Sequence, residues 1–215
     1  MRPHRAGRLL AAVAAIAGLP ECARAEWFVE VLGGYAGTRD AVVTIENPFP
    51  DPARRAREAS FDPSIAAAVR LGKWLDGSPA FGFSIEVSRY QADADSLRLE
   101  LTSFLALAQA RAGFGRDSRF PAGRFQPSAA FGFGFVPLEV TADYRPEGPG
   151  HYDQHDVGVG VSMRGALAWH ATAELALLAE YDFRLTEVTQ GYGDSDGLSA
   201  SLHTQLALLG LSWRW

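Results

Sequence analysis

The 215-residue chain is short of several things that define common protein classes. It has one cysteine, Cys22, and that residue lies in a leader-like segment, so the remainder has no thiol from which to build a disulfide scaffold. It has one lysine, Lys73, whereas a fully solvated surface normally carries many. Past the first 25 residues it has no run of 18 apolar residues, which excludes a membrane-spanning helix. His151, His155, His170 and His203 are scattered. The His151/His155 spacing suits zinc only on a helix, and it falls in a loop-like stretch, so neither a metal site nor a cofactor is expected. Gly132 and Gly134 sit within a strand pattern and form no phosphate-binding loop.

The first 25 residues read as a secretory signal peptide. Arg2, His4, Arg5 and Arg8 form a positive start, Leu9 to Leu19 an apolar stretch, and Ala23-Arg24-Ala25 a small-x-small cleavage pattern. A lipoprotein reading through Cys22 is disfavoured by Glu21, which stands where a small residue is needed. The expected division is 1–25 as leader and 26–215 as one domain. Cleavage removes four arginines and one glutamate and takes the formal net charge from −5 to −8. An acidic chain of this kind opposes nucleic-acid binding.

Residues 26–215 repeatedly place apolar residues at every second position, the period of a strand whose two faces meet different surroundings. Eight segments show it: Glu26 to Gly37, Ser64 to Trp74, Phe81 to Tyr90, Leu97 to Leu107, Arg124 to Phe135, Asp156 to Trp169, Glu174 to Leu185 and His203 to Trp215. The last is the clearest. Ala207, Leu209, Leu211, Trp213 and Trp215 alternate with Leu208, Gly210, Ser212 and Arg214. In Leu97 to Leu107 the odd leucines oppose Arg98, Glu100, Thr102 and Phe104.

Three features set the apolar face outward, toward lipid. The opposite face mixes small residues with charges of both signs, which suits a narrow interior where ions pair: Glu30, Glu86, Glu100, Glu180 and Asp182 with Arg70, Arg98, Arg164 and Arg184. Aromatics lie near the segment ends on the apolar face, as in membrane girdles: Trp27, Tyr35, Phe81, Trp169, Tyr181, Trp213 and Trp215. The segments also reach the roughly 9–11 residues that a tilted strand needs to cross a bilayer. The expected fold is therefore all-β, an antiparallel eight-stranded transmembrane β-barrel with both termini on the periplasmic side. The connections Leu75 to Ala80 and His170 to Ala173 fit short periplasmic turns. Thr38 to Pro63, Val136 to His155 and Thr186 to Ala200 fit long outer loops. Two connections break the rule: Gln91 to Ser96 is short, and Ala112 to Gly123 is long.

The leader, the opening Trp27-Phe28-Val29-Glu30-Val31-Leu32-Gly33-Gly34-Tyr35, the Val69-Arg70-Leu71-Gly72-Lys73-Trp74 strand and the closing Leu209-Gly210-Leu211-Ser212-Trp213-Arg214-Trp215 together resemble the outer-membrane β-barrel superfamily of OmpA/OmpX type. The resemblance implies a cell outer-membrane location and contact with outer-membrane lipid and lipopolysaccharide. It also implies reading of the C-terminal strand by the barrel-assembly machinery, with Trp215 in the place usually held by phenylalanine. It does not fix an activity, because members range from structural proteins and binders to pores and lipid A-modifying enzymes.

Three groups are candidate sites. The interior charges read as a plug that fills the lumen and fixes register, or as the gate of a narrow small-solute channel. Arg54, Arg55 and Arg57 read as a solvated loop, or as forks for lipopolysaccharide phosphates. Ser201, His203 and Glu187 share outward parity near one membrane edge, where such a set would suit a lipid A deacylase-like hydrolase. No family motif supports that hydrolase, and the expected protein is non-catalytic. The leading expectation is a monomer with a structural or surface-interaction role.

Overall fold

A computed structural model describes residues 26–39, 41–46, 54–75, 79–94, 97–144, 150–188 and 197–215; the expected leader lies outside them. For 44–46, 54–58, 142–144, 150–154 and 197–198 the backbone alone is described. The strands are β1 (Glu26–Thr38), β2 (Ala41–Glu46), β3 (Arg54–Ala59), β4 (Ser64–Trp74), β5 (Ala80–Ala94), β6 (Leu97–Arg111), β7 (Phe125–Tyr144), β8 (Gly150–His170), β9 (Leu175–Val188) and β10 (Gly197–Arg214).

Eight of these form a closed antiparallel barrel. β1, β4, β5, β6, β7, β8, β9 and β10 pair in that order, and β10 returns to β1. Closure is completed at the chain end, where Trp27 and Trp215 exchange backbone hydrogen bonds of 2.9 and 3.0 Å. No strand of the barrel is left with an open edge, which is the condition for backbone amides to survive in lipid. The geometry follows from one rung of the ladder. Val31 leads through Val69, Val87, Phe104 and Phe135 to Val159 in one direction. In the other it leads through Leu211 and Leu177 to Trp169. The two ends of that rung lie ten residues apart on β8, the stagger that tilts the strands by roughly 35–45°.

Every residue on that rung is apolar and points outward, and the belt around it has the same character. Ile65, Phe81, Phe83, Phe131, Phe133, Met163 and Leu209 all stand exposed on the outer face. Water would penalise such a surface, whereas lipid favours it.

The remaining two strands lie in what the sequence reads as the loop from Thr38 to Pro63. β2 pairs with β3, and its residues Val43 to Glu46 add to β10 at Gly197 to Ala200. Val43, Ala59 and Phe61 are buried with the interior side chains at the end of the barrel opposite the termini, termed here the far end. The described residues of Val136 to His155 are likewise not an irregular loop. β7 extends to Tyr144 and β8 begins at Gly150, forming a paired ribbon of 20- and 21-residue strands, about twice what the bilayer needs.

One facing assignment is reversed. On β6 the leucines point inward: Leu99, Leu101, Leu105 and Leu107 are buried. Arg98, Thr102, Phe104 and Ala106 point outward, and Glu100 is only partly covered on that same side. The reason lies on the neighbouring strands. Gly132 of β7 and Gly160 of β8 face the lumen, and a methyl built on Gly132 would lie 2.5 Å from the Leu107 Cδ2. Two glycine-lined strands leave a hollow, and Leu105 and Leu107 of β6 fill it.

Candidate functional site in the lumen

Because the belt is apolar, the alternate positions of each strand supply the interior. Where β1, β4, β5, β8 and β9 cross the middle of the barrel, those positions are Glu30, Arg70, Glu86, Arg164, Glu180, Asp182 and Arg184. All seven are buried. Arg70 on β4 is the hub. Its guanidinium donates to Glu30 at 2.5 Å, to Glu86 at 2.6 Å and to Glu180 at 2.9 Å. Arg164 reaches across from β8 to Glu86 at 2.9 Å and lies 3.5 Å from Glu180. Arg184 on β9 pairs with Glu86 at 2.5 Å and with Asp182 at 2.7 Å, and donates to the Ser88 hydroxyl at 2.5 Å. Ser162 donates to Asp182 at 2.6 Å. The mesh thus joins opposite walls, since β5 and β9 are not neighbours in the barrel.

A second layer lies toward the termini. Arg111 and Arg214 share Glu26, at 2.5 and 3.3 Å, and Arg214 also donates to Gln126 at 2.7 Å. Arg111 stacks on Trp74 with its guanidinium carbon 4.5 Å from the ring centroid, and Trp74 packs on Phe28. Together the two layers hold five arginines and five carboxylates, so their formal charges balance. A polar cavity between the layers has room for roughly one water molecule. Arg164 Nη2, Trp74 Nε1 and Gln109 Nε2 have no protein partner and belong to residues that line it.

Beyond the mesh, toward the far end, the interior becomes apolar. Leu32, Leu99, Leu101, Leu138, Val140 and Leu202 pack together under Phe61 and Val43. Charge plug and apolar plug therefore lie in series along the axis.

Arg98 and Glu100 are not part of this mesh, which corrects the sequence-based assignment. They sit on the outer face near the far end, in a surface cluster with Arg89, Gln91 and Asp93. Arg98 lies 3.2 Å from Glu100 and 3.7 Å from Asp93. Arg89 pairs with Glu100, and Gln91 donates to it at 3.2 Å. His155 stands 3.7 Å from Glu139 on the same face. The reversed facing of β6 puts them there. Glu26, Arg111 and Arg214 were absent from the sequence-based set, although Glu26 and Arg214 share parity with Glu30 and Ser212.

The seven girdle aromatics lie on the outer face. Tyr35, Phe81, Tyr181, Trp213 and Trp215 are exposed, and Trp27 and Trp169 are half-buried. The side chains of Arg54, Arg55 and Arg57 lie outside the described residues. Ser201 donates to Glu187 at 2.6 Å across the β9–β10 pair. His203 instead meets the edge of Phe183, with the ring centroids 6.1 Å apart. A nucleophile relay needs the imidazole between hydroxyl and carboxylate; here the hydroxyl goes straight to the carboxylate. Among the described residues no group of His, Cys, Asp and Glu is arranged to hold a metal ion.

No family model and no curated protein matches the chain. Solved structures do. Neisserial surface protein A aligns with a TM-score of 0.52 at 13% identity, over 87% of this chain and 96% of that one. The outer membrane protein OprG of Pseudomonas aeruginosa aligns with a TM-score of 0.53 at 11% identity, over 90% of this chain and 97% of that one. At such identity the likeness is one of fold: the chain has the architecture of the small outer-membrane β-barrels, which supports an outer-membrane location.

Proposed function

We propose that the protein is a monomeric, non-conducting outer-membrane barrel that acts through the surface it presents at its far end and performs no chemistry. The observation that carries this reading is the ion-pair mesh centred on Arg70 and Glu86, which ties opposite walls together. In an eight-stranded barrel the lumen is just wide enough for side chains to fill. Here charges fill its middle and leucines its far half. The β7–β8 ribbon extends well past the belt, and the outward charges Arg89, Asp93, Arg98, Glu100 and Glu139 mark where lipid ends and water begins. With the termini in the periplasm, that ribbon stands outside the cell, where partners and lipopolysaccharide are met.

Purified protein in planar bilayers is expected to give no resolved single-channel steps; regular steps that disappear on heat unfolding would overturn the plugged-lumen reading. The absence of chemistry has its own check. Overexpression of the wild type and of Ser201→Ala is expected to leave the same lipid A mass profile. Loss of an acyl chain with the wild type alone would restore the hydrolase.

A further inference from the structure

The β6–β7 connection runs from Ala112 to Arg124, at the end of the barrel where connections are otherwise short. It is a built turn. Phe114 and Phe125 exchange backbone bonds of 2.8 and 3.1 Å, prolonging the hairpin. The Asp117 carboxylate accepts from the Arg119 and Phe120 amides at 2.8 and 2.7 Å. Gly115 and Gly123 supply the left-handed backbone, with φ of 67° and 101°, that a residue with a side chain adopts only at a cost. The Arg124 carbonyl accepts from His170 at 2.9 Å, fastening the turn to β8.

This platform holds two guanidinium groups against one ring. Arg119 and Arg124 each place their guanidinium carbon 5.5 Å from the centroid of Phe120, which is buried. Arg124 also lies 5.4 Å from the Trp169 centroid. Neither arginine forms an ion pair with a described carboxylate. Two like charges gathered around one aromatic ring, with the Asp117 carboxylate of the turn engaged by backbone amides, are complementary to an anion with several acceptor oxygens. The surroundings specify its kind. Phe114 and Phe125 are exposed on the outer side of the same turn, continuous with the apolar belt. An anion whose oxygens meet the arginines would have a greasy wall beside it.

We propose that the Arg119–Phe120–Arg124–Trp169 platform is a binding site for the phosphodiester headgroup of an anionic diacyl phospholipid in the leaflet that surrounds the chain termini. The headgroup phosphate sits on the two guanidiniums, and the acyl chains descend past Phe114 and Phe125. Cationic side chains just outside a bilayer attract anionic lipid, and stacking on rigid rings keeps these two at low entropic cost. The proposal rests on the membrane-barrel reading, and the experiment separates the two.

The folded protein is exchanged into micelles containing equal amounts of phosphatidylglycerol and phosphatidylcholine, and the retained lipid is measured by native mass spectrometry. The wild type is expected to retain phosphatidylglycerol with a preference on the order of tenfold, the size expected for two basic side chains near a charged leaflet. The Arg119→Gln/Arg124→Gln double variant is expected to fall to near parity. Arg119→Lys/Arg124→Lys is expected to keep an intermediate preference, and Arg98→Gln, at the far end, the full one. All of these positions are exposed, so heat-modifiable gel migration should be the same for each variant. Equal retention of both lipids, or a preference that survives the double glutamine variant, overturns the site. So does inorganic phosphate that abolishes the preference at concentrations where phosphatidylglycerol competes no better, since that would make it a small-anion site. Co-sedimentation with peptidoglycan that depends on Arg119 and Arg124, without lipid preference, would reassign the platform to the cell wall. Failure of the folded wild type to enter bilayers at all would remove the membrane reading, and this proposal with it.

Discussion

Arg70→Met is expected to lower the folding stability of the barrel by about 3–5 kcal/mol, the range found when one partner of a buried ion pair is removed. The readout is the urea midpoint in lipid vesicles, followed by tryptophan fluorescence. Methionine keeps much of the arginine stem, so little of the loss comes from a cavity. The loss comes from charge. Arg70 serves three carboxylates, Glu30, Glu86 and Glu180. Without it the central mesh holds four carboxylates against Arg164 and Arg184 alone. Two controls separate this from a generic core lesion. Adding Glu180→Gln to Arg70→Met removes one of the stranded charges and should recover part of the stability, a non-additivity confined to groups that touch. Arg98→Met should cost no more than about 1 kcal/mol, because its partners Asp93 and Glu100 lie on the outer face. If the lumen were a hydrated channel, Arg70 would behave like Arg98. A cost for Arg70→Met below about 1 kcal/mol would therefore sink the plug.

What the sequence discloses here is set by where lipid touches the chain. Inside the belt one face of each strand must be apolar, so alternation is strict. β4 is bounded by Ser64 and Trp74 as its pattern indicates, and β1 runs one residue past its own; β5 and β9 run four and three residues farther toward the far end, and β10 begins six residues earlier, at Gly197. Seven of the nine charges that this parity sets inward do face the lumen, because a residue opposite a lipid-facing one has nowhere to point but inward. Beyond the belt the constraint inverts. The outer face meets water and the inner face meets protein, as in a soluble barrel. On β7 the outward apolar run Phe131, Phe133, Phe135 accordingly gives way to inward Val136, Leu138 and Val140, with Glu139 outside. Read as one segment, such a strand has no single period, and the ribbon looks like a loop. β6 misleads for the same reason. Leu99 and Leu101 lie in its far half, where the apolar face is the inner one, opposite Arg98 and Glu100. Arg111 closes the inner face of that strand four residues past the apparent end of the pattern.

Placing tryptophan at two adjacent positions of β6 is expected to give effects of opposite sign. Leu105 lies between Glu86 on β5 and Gly134 on β7, facing inward, and its Cδ2 lies 3.7 Å from where a Gly160 methyl would stand. Leu105→Trp must force a larger ring into that filled hollow, and overpacking of this kind costs about 1–3 kcal/mol and sometimes more. Ala106, one residue on, pairs with Ile85 and Phe133, both exposed on the belt. A tryptophan there extends into lipid between two apolar neighbours, so Ala106→Trp is expected to keep or raise the urea midpoint. Its fluorescence should rank among the most strongly quenched by lipids brominated along the acyl chain, while any folded Leu105→Trp should add no quenchable signal. A lipid-facing row of leucines, as plain alternation from Leu97 to Leu107 suggests, requires the reverse: Leu105→Trp tolerated and quenched, Ala106→Trp disruptive. The glycines of β7 and β8 decide between them, because a lumen bordered by Gly132, Gly134 and Gly160 is too hollow to be filled by anything smaller than leucine from the strand beside it.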